Sequence, residues 1–303
     1  MLPNVLHPNA TDHVPVLADQ VREALAVQPG ETVVDATFGA GGHAELLAAD
    51  LQGSGKLIAI DRDPSVRPYF DRVRKRTGVQ GRFLRGEFSD VLAQLAANGV
   101  GADAILFDLG VLSMQIDRPE RGFSYRTDAP LDMRMDPAAE LSASDLVNDA
   151  GERELTRIFR EYGEERYARP IARAIVRRRR EQPFERTGDL VDTIKSAIPA
   201  PARFGDGHPA KRVFQALRIA VNDEFSALDT FLRHLPQCLR PGGRVAILTF
   251  HSGEDRRVKH AFKAGLLEGS YAEIARDVLR PGAEELRANP RSASAKLRWA
   301  RRA

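Results

Sequence analysis

Two segments near the start of the chain, residues 33–43 and 56–61, constrain its fold more than any other part. The first reads Val-Val-Asp-Ala-Thr-Phe-Gly-Ala-Gly-Gly-His and the second reads Lys-Leu-Ile-Ala-Ile-Asp. An apolar run, closely spaced glycines and a second apolar run are typical of a strand, a tight turn, a helix and another strand. Because glycine has no Cβ, such a turn lets the backbone approach a ligand closely. The pattern predicts a site for a nucleotide-type cofactor.

Two carboxylates indicate which cofactor this site would bind. Asp61 ends the second predicted strand, where an acid can accept from both hydroxyls of a ribose. Asp35 lies four residues before Gly39, where it would repel a pyrophosphate and attract a sulfonium that carries an amino group. We therefore favour S-adenosylmethionine. Gly39, Gly41 and Ala44 also fit the dinucleotide fingerprint, so a dinucleotide-dependent oxidoreductase stays an alternative. An ordinary turn with no ligand is a third interpretation.

The first hundred residues alternate between apolar runs and amphipathic stretches. This alternation predicts an α/β fold with a mostly parallel sheet and helices on both faces. Ligands of such sheets lie outside the carboxyl ends of the strands, where Asp35, Asp61 and Asp108 are all expected. The predicted strands span residues 32–36, 56–61, 82–85 and 104–108.

The alternation stops after the fourth predicted strand. Residues 113–207 contain a long charged loop and helical patterns without strands, which predicts a helical domain inserted into the sheet domain. The sheet domain would then comprise residues 1–112 and 208–303. In its second part we predict one long amphipathic helix over 214–235, a strand over 244–250, a helix over 254–267 and an edge strand over 294–299.

Composition excludes several classes of protein. The chain has 303 residues, one cysteine and a net charge of +3, which is too small to indicate a nucleic-acid partner by itself. With one cysteine there is no internal disulfide, and His208 and His251 lack the spacing of metal ligands, so we expect no metal. No apolar run is long enough to span a membrane, and the N-terminus lacks the pattern of a signal peptide. A cytoplasmic protein is the expectation.

The distribution of charged residues along the chain is more informative about an RNA partner than the net charge. Residues 166–186 contain eight arginines and two glutamates. On a helix, Arg173, Arg177 and Arg180 share one face, which is a suitable shape for contacting phosphates. A solvated face paired with neighbouring glutamates is an equally simple interpretation.

The chain also resembles a known family along nearly its whole length. It is similar to the bacterial small-subunit ribosomal RNA methyltransferases that make N4-methylcytidine, the MraW family. The matching blocks, in chain order, are His13-Val-Pro-Val, Asp35-Ala-Thr-Phe-Gly-Ala-Gly-Gly-His, Asp61-Arg-Asp-Pro, Gly86-Glu-Phe, Phe107-Asp-Leu-Gly-Val-Leu-Ser-Met-Gln-Ile-Asp, Arg121-Gly-Phe-Ser-Tyr, Pro130-Leu-Asp-Met-Arg-Met-Asp, Tyr162-Gly-Glu-Glu-Arg, His208-Pro-Ala-Lys-Arg-Val-Phe-Gln-Ala-Leu-Arg-Ile, Phe250-His-Ser-Gly-Glu-Asp-Arg and Asn289-Pro-Arg-Ser-Ala-Ser-Ala-Lys-Leu-Arg.

This resemblance implies a Rossmann-like class I methyltransferase fold and a cytoplasmic enzyme. The enzyme would transfer a methyl group from S-adenosylmethionine to the N4 amine of a cytidine in the decoding region of 16S rRNA, within the small ribosomal subunit. A homodimer stays open. By motif match, the cofactor contacts implied are Gly41, Gly42, His43, Asp61, Phe88, Asp108 and Gln115.

Asp108 has two candidate roles. At the end of the fourth predicted strand, its carboxylate could take the proton of the cytosine amine during direct in-line transfer, or it could bind the cofactor. Cys238 lies far from the motif loops, which argues against the thiol chemistry of ring-carbon methylation. For RNA contacts we predict Arg173, Arg177, Arg180 and His251, although His251 could instead cap a helix. A non-catalytic RNA-binding protein with a methyltransferase fold is a further alternative.

Overall fold

The computed structural model describes residues 15–109, 119–204 and 207–303. The chain divides into two compact units. The first, here called the sheet unit, comprises the described residues up to Leu109 together with His234–Ala303. The second, here called the helical unit, comprises the described residues of Gly110–Arg233.

The sheet unit is built on one β-sheet. Among the described residues, seven strands follow the order β3-β2-β1-β4-β5-β7-β6. The pairs from β3 to β5 are all parallel, whereas β7 runs antiparallel to β5 and β6. The mostly parallel, Rossmann-like prediction is therefore confirmed. The strands are β1 Thr32–Asp35, β2 Lys56–Asp61, β3 Gln80–Arg85, β4 Ala102–Asp108, β5 Leu239–Thr249, β6 Tyr271–Ile274 and β7 Lys296–Arg302.

Helices connect these strands and also form the helical unit. The sheet unit contains the first four helices and the last two, and the boundary at residue 233 falls inside α11. In chain order the α-helices are α1 Ala18–Leu25, α2 Gly42–Asp50, α3 Arg67–Thr77, α4 Phe88–Ala97, α5 Ala143–Asp149, α6 Glu152–Glu161, α7 Ala168–Arg178, α8 Thr187–Ala197, α9 Ala200–Arg203, α10 Lys211–Val221, α11 Glu224–Cys238, α12 Ser252–Leu267 and α13 Ala283–Ala288.

The central strands are apolar because helices cover them on both faces. β1 is buried over its whole length, and residues 104–107 of β4 are fully buried. Strands of this kind read as continuous hydrophobic runs and carry polar side chains only where they end. The acidic residues that end β1, β2 and β4 follow this rule.

The C-terminal part of the sheet differs from the prediction. The last strand is expected at an edge from the sequence, but β7 lies between β5 and β6, and β6 is the edge strand that the sequence pattern does not reveal. β6 has four residues, two of them exposed, so it gives almost no periodic signal. β7 is held inside the sheet by pairing on both sides and by an ion pair from Arg298 Nε to Asp255 Oδ1 at 2.7 Å.

The helical unit has its own hydrophobic core. Helices α5 to α8 and α10 contribute fully buried side chains such as Phe159, Ile171, Ile175 and Leu217 to one cluster. α10 packs into this cluster, and the unit runs on to Arg233, inside α11, whereas the sequence pattern predicts that the inserted domain ends at residue 207. The segment 199–207, rich in proline and glycine, interrupts the periodic pattern without ending the packed core.

The amphipathic stretch predicted as one helix over 214–235 forms two helices, α10 and α11. Asn222 ends the first helix, and its side-chain amide donates to the carbonyl of Met133 at 2.8 Å while its oxygen accepts from the amide of Met135 at 2.7 Å. Asp223 follows with a positive φ of 48°, a left-handed conformation that breaks the helix. The helical spacing of apolar residues continues across the break because each of the two helices buries one face.

Within the described residues, no helix combines the length and the apolar character that crossing a lipid bilayer requires.

Arg244, in the middle of β5, connects that strand to the end of α1 and to the segment before β1. Its guanidinium donates to the carbonyls of Leu25 at 2.7 Å, Ala26 at 3.0 Å and Asp103 at 3.1 Å, and pairs with both oxygens of Glu31 at 2.8 Å. Only 16% of the Arg244 side chain is exposed. Charge-assisted bonds that are this shielded are stronger than surface ion pairs.

We expect Arg244→Ala to lower the free energy of unfolding by about 2–4 kcal/mol, because the substitution leaves a shielded carboxylate and several carbonyls without their donor. Arg244→Lys, which keeps the charge but not the planar fork, should lose about half as much. Urea unfolding followed by circular dichroism measures both. Equal stability of Arg244→Ala and the wild type would contradict this account.

Candidate active site at the carboxyl edge of the sheet

Three acidic side chains meet at the carboxyl ends of neighbouring parallel strands. Asp35 pairs in register with Ala59 of β2 and Leu106 of β4. Asp61 and Asp108 each lie two residues beyond that row, on the same face of the sheet and about 7 Å further along. The order of the strands reverses direction between β1 and β4. Ligands of open α/β sheets bind at this kind of switch point.

The glycine turn after β1 contains the left-handed backbone conformation that favours glycine. Gly41 has a φ of +79°, and a Cβ there would lie 2.7 Å from Cζ of Phe38. Gly41 is also the N-cap of α2, which begins at Gly42. The first amides of a helix have no partner within the helix, and those of α2 follow this turn directly; only a residue without a side chain fits at position 41.

Asp61 joins this turn to the end of β2. Its Oδ2 accepts from the amide of Gly39 at 2.9 Å, and its Oδ1 accepts from the amide of Asp63 at 2.8 Å. Burial raises the pKa of the Asp61 carboxyl, and the bonds from Asp63 and Gly39 act in the opposite direction. Each oxygen keeps a second lone pair, so the carboxylate can still accept from two hydroxyls of a ligand.

Asp35 is the most deeply buried of the three acids, with 1% of the residue exposed. Its Oδ1 accepts from the amide of Thr37 at 3.1 Å. The pKa of Asp35 is raised to about 7: burial raises it most, the hydrogen bond from the Thr37 amide lowers it, and the nearby charge of Asp61 raises it. The group is thus poised to lose its proton when a cation binds nearby.

Asp108 has the most perturbed environment. Its backbone amide donates to Oγ1 of Thr37 at 2.7 Å, which fixes the end of β4 against the turn. Its Oδ1 is buried and has no hydrogen-bond partner among the described residues, although 31% of the side chain as a whole is exposed. Burial, followed by the charges of Asp35 and Glu254, raises the pKa of Asp108 to about 8. An acid left in this state indicates a binding or catalytic position.

His43 lies in the first turn of α2, beside Asp108. Its Nε2 is 4.0 Å from Oδ2 of Asp108, and 7% of the residue is exposed. Burial lowers the pKa of His43 to about 4, against a hydrogen bond to the carbonyl of Val16 that raises the pKa. The imidazole is therefore neutral at physiological pH.

Two further residues, Phe88 and Gln115, are predicted to contact the cofactor. Phe88 begins α4 and packs on Phe107 with ring centroids 4.4 Å apart, and 7% of it is exposed. A role for Phe88 against an adenine stays a prediction. Gln115 lies outside the described residues.

The predicted RNA-contacting arginines belong to the helical unit. Arg173 and Arg177 lie on α7, while Arg180 follows the end of that helix. Arg169 and Arg173 approach one carboxylate, that of Glu152, at 3.9 and 3.7 Å. A groove of about 380 Å³ is lined by Arg169, Pro170, Arg173, Ala174, Arg177 and Ala197. We call it the arginine groove.

His251 is the N-cap of α12, at the carboxyl end of β5. Its Nδ1 accepts from the amide of Glu254 at 3.4 Å, while Oε2 of Glu254 accepts from the amides of Phe250 at 2.8 Å and His251 at 3.1 Å. The helix-capping role left open by the sequence is thus present, and an RNA contact of His251 stays a prediction.

Sequence reasoning missed two residues of this edge. Thr37 links Asp35 to the end of β4, and Glu254 is 2% exposed and acts on the charge state of Asp108. Thr37 stands inside the glycine motif and could have been found there, whereas the proximity of Glu254 arises only from folding. No group of three His, Cys, Asp or Glu residues that could hold a metal ion occurs in the described part of the chain.

A Rossmann-like sheet with a glycine turn and three acidic strand ends at its switch point defines an α/β enzyme that binds a nucleotide-type cofactor. Comparison with known families identifies which enzymes of this class the chain is related to. The profile described as the MraW methylase family matches residues 10–303, and the chain belongs to that family. The chain is accordingly a methyltransferase with S-adenosylmethionine as its cofactor, and membership decides against the dinucleotide-dependent alternative.

Individual relatives are similar over almost their full length. A protein of Heliobacterium modesticaldum named ribosomal RNA small subunit methyltransferase H is 47% identical over 306 residues, which cover 95% of this chain and 97% of that protein. A protein of the same name from Symbiobacterium thermophilum is 47% identical, with 95% and 96% covered. The solved structure of TrmN from Thermus thermophilus is 15% identical with a TM-score of 0.44, over 95% of this chain and 48% of that one. The fold is assigned from the sheet topology alone.

The residues present fit the cofactor. Asp61 would hold the ribose, the amides of Gly41 and Gly42 would line the turn, and the carboxyls of Asp35 and Asp108 would compensate the positive charge of the sulfonium and the amino group. The partnerless Oδ1 of Asp108, which has no donor among the described residues, is the observation that favours a cationic or proton-donating ligand here.

We expect the affinity for S-adenosylmethionine to rise with pH between about 6 and 8. The pKa values of Asp35 and Asp108, about 7 and about 8, leave Asp35 about half protonated and Asp108 largely protonated in the free protein at neutral pH, and a cation binds better to their anions. For the same reason the free protein should lose stability as the pH rises through this range. Titration calorimetry in buffers of different ionisation enthalpy counts the protons released.

S-adenosylhomocysteine, whose sulfur is neutral, is the matched control and should show a smaller pH dependence and release fewer protons. The same proton release for both ligands would contradict the assignment of these carboxyls to the charge of the donor.

Proposed function

We propose that the chain methylates the exocyclic N4 amine of a cytidine in the decoding region of 16S rRNA, by direct in-line transfer. Relatives at 47% identity carry the name ribosomal RNA small subunit methyltransferase H, which supports RNA of the small subunit as the substrate. The observation that carries the proposed chemistry is the Asp108 carboxyl, which ends β4 at the switch point with one buried oxygen that has no partner among the described residues.

The proposed mechanism assigns proton transfer to Asp108. S-adenosylmethionine, when bound, supplies a methyl carbon already activated by the sulfonium. The lone pair of the cytosine amine is delocalised into the ring, so a carboxylate that accepts from its N–H makes the nitrogen more nucleophilic and takes the proton as it is released. Alignment and exclusion of water supply the rest of the rate enhancement.

Cys238 supports transfer to nitrogen rather than to a ring carbon. Methylation of a pyrimidine carbon normally needs a thiolate that attacks the ring. The sulfur of Cys238 lies 3.6 Å from the carbonyl of Leu92 and 3.4 Å from that of His234, and the residue is 2% exposed. Burial raises the pKa of its thiol to about 11. Cys238 thus packs as a small hydrophobic residue.

The arginine groove supports RNA binding by the helical unit. Three guanidinium groups line it, and Arg169 and Arg173 lie near a single carboxylate, Glu152. Excess positive charge on one helix face suits the phosphate backbone. We infer that Arg173 and Arg177 contact phosphates, with Arg180 and His251 as further candidate contacts.

We expect Asp108→Asn to lower kcat by about 10²–10⁴-fold, because the amide has the shape of the acid but cannot take a proton. Methyl transfer to small ribosomal subunits measures kcat, and calorimetry separately measures affinity for S-adenosylmethionine. Weaker affinity with unchanged kcat would assign Asp108 to cofactor binding instead.

Mass spectrometry of the modified nucleotide tests the target atom, and a methyl group on a ring carbon or a ribose would overturn the proposal.

We expect Arg173→Ala combined with Arg177→Ala to weaken RNA binding and to reduce the slope of log affinity against log salt by about one unit for each phosphate that is no longer neutralised. Arg157→Ala is the matched control, since Arg157 is paired with Glu154 and Glu161 at 2.8 Å on the same unit. An equal change of slope in the control, or none in the double variant, would show that the arginine groove does not bind phosphates.

A further inference from the structure

Helix α12 is fixed against the sheet along one side. Phe262 packs edge-on against Tyr271 of β6, with ring centroids 5.5 Å apart and an interplanar angle of 73°. A Cβ at Gly265 would lie 2.5 Å from Cδ2 of the same tyrosine, so the ring lies directly against the helix backbone. Since this side is anchored, the opposite side of α12 has a fixed orientation as well. The buried positions of the helix are Glu254, Val258, Phe262 and Gly265.

The opposite side of α12 is basic. At about 100° per residue, its basic side chains fall within an arc of about 100° that lies roughly opposite the buried positions. All of these residues are exposed. We call them the basic face of α12, which consists of Arg256, Lys259, His260 and Lys263.

Acidic side chains do not neutralise this face. The only acids of α12 are Glu254 and Asp255, both in its first turn. Asp255 accepts from Nε of Arg298 at 2.7 Å, and Oε2 of Glu254 accepts from backbone amides at the start of the helix. Over the ranges that the structure describes, Lys259 and Lys263 make no ion pair or side-chain hydrogen bond. Their charges are therefore available to a partner.

The basic face begins beside the candidate active site. Asp108 pairs in register with Leu248 of β5, and α12 begins four residues later, at Ser252. At a rise of about 1.5 Å per residue, Lys259 and Lys263 lie about 10 Å and about 16 Å along the helix from its start. A polymer with one unit at the carboxyl edge of the sheet could thus continue along this helix.

We propose that the basic face of α12 is a second phosphate-contacting surface for RNA, in which Lys259 and Lys263 neutralise phosphates that flank the target nucleotide. The inference rests on the proposed function for RNA as the partner. Unpaired lysines in a row suit a phosphate backbone, because each contact releases a counterion and needs no particular base. The arginine groove belongs to the helical unit, whereas this surface belongs to the unit that carries the acidic strand ends.

Lysine acetylation read by mass spectrometry tests this contact without any activity measurement. We expect a fragment of 16S rRNA that contains the decoding region to slow the modification of Lys259 and Lys263. Lys56 and Lys75 are the matched controls, because they are exposed on the same unit, at the start of β2 and in the last turn of α3, where the amino ends of the strands lie. Their rates should stay the same with and without the RNA.

The salt dependence of binding measures how many phosphates are neutralised. We expect Lys259→Gln combined with Lys263→Gln to reduce the slope of log affinity against log salt by about 0.7 unit for each lost contact with a single strand. Glutamine keeps the helix propensity and removes the charge. Lys56→Gln combined with Lys75→Gln removes the same charge from the other edge and should leave the slope unchanged.

Unprotected Lys259 and Lys263, or equal changes of slope in the two double variants, would overturn the proposal. Protection by phosphatidylserine vesicles but not by RNA would also overturn it and would identify a lipid-binding surface. Failure of the proposed function would appear differently, as a methyl group on another RNA atom while both lysines are still protected by the RNA.

Discussion

Removal of carboxyl groups from water at one end of a parallel sheet is the constraint on which this site depends. Hydrogen bonds from Thr37, Gly39 and Asp63 satisfy part of Asp35 and Asp61, but Oδ1 of Asp108 has no donor among the described residues. Buried acids without full compensation cost free energy unless they stay protonated or meet a cation. In the free protein Asp108, with a pKa of about 8, stays largely protonated at neutral pH, and we propose that a positively charged methyl donor stabilises its anion.

In the proposed function, binding and chemistry share the same groups. The acids that we propose to compensate the charge of the donor are Asp35 and Asp108, whose pKa values are raised, so binding of the donor would itself favour the carboxylate that a weak nucleophile such as an exocyclic amine needs. Methyl transfer then requires little from the protein beyond alignment and a proton acceptor. The helical unit carries the arginine groove, which we assign to the phosphates of the RNA.

Much of the fold could be predicted, because the central strands are buried on both faces and read as uninterrupted apolar runs. The bounds of β2 match the prediction, and those of β1 and β4 differ by one or two residues. Prediction was poorer where the pattern is weak or continues through a break. β6 is too short to show a period, and Asn222 divides two helices that bury the same face. No local pattern encodes the packing of α10 into the helical core, which places residues beyond 207 in the helical unit.

By itself, the sequence determined the glycine turn, the acidic strand ends and the family, because backbone sterics and burial act on neighbouring residues and leave a local pattern. Only the tertiary structure decided the charge environment of the acidic strand ends. Three features depend on residues distant in the chain: Thr37 holds the end of β4, Glu254 lies near Asp108, and Nε2 of His43 lies 4.0 Å from the same carboxyl. Charge interactions and burial are properties of three-dimensional neighbours, and the order of residues along the chain does not state them.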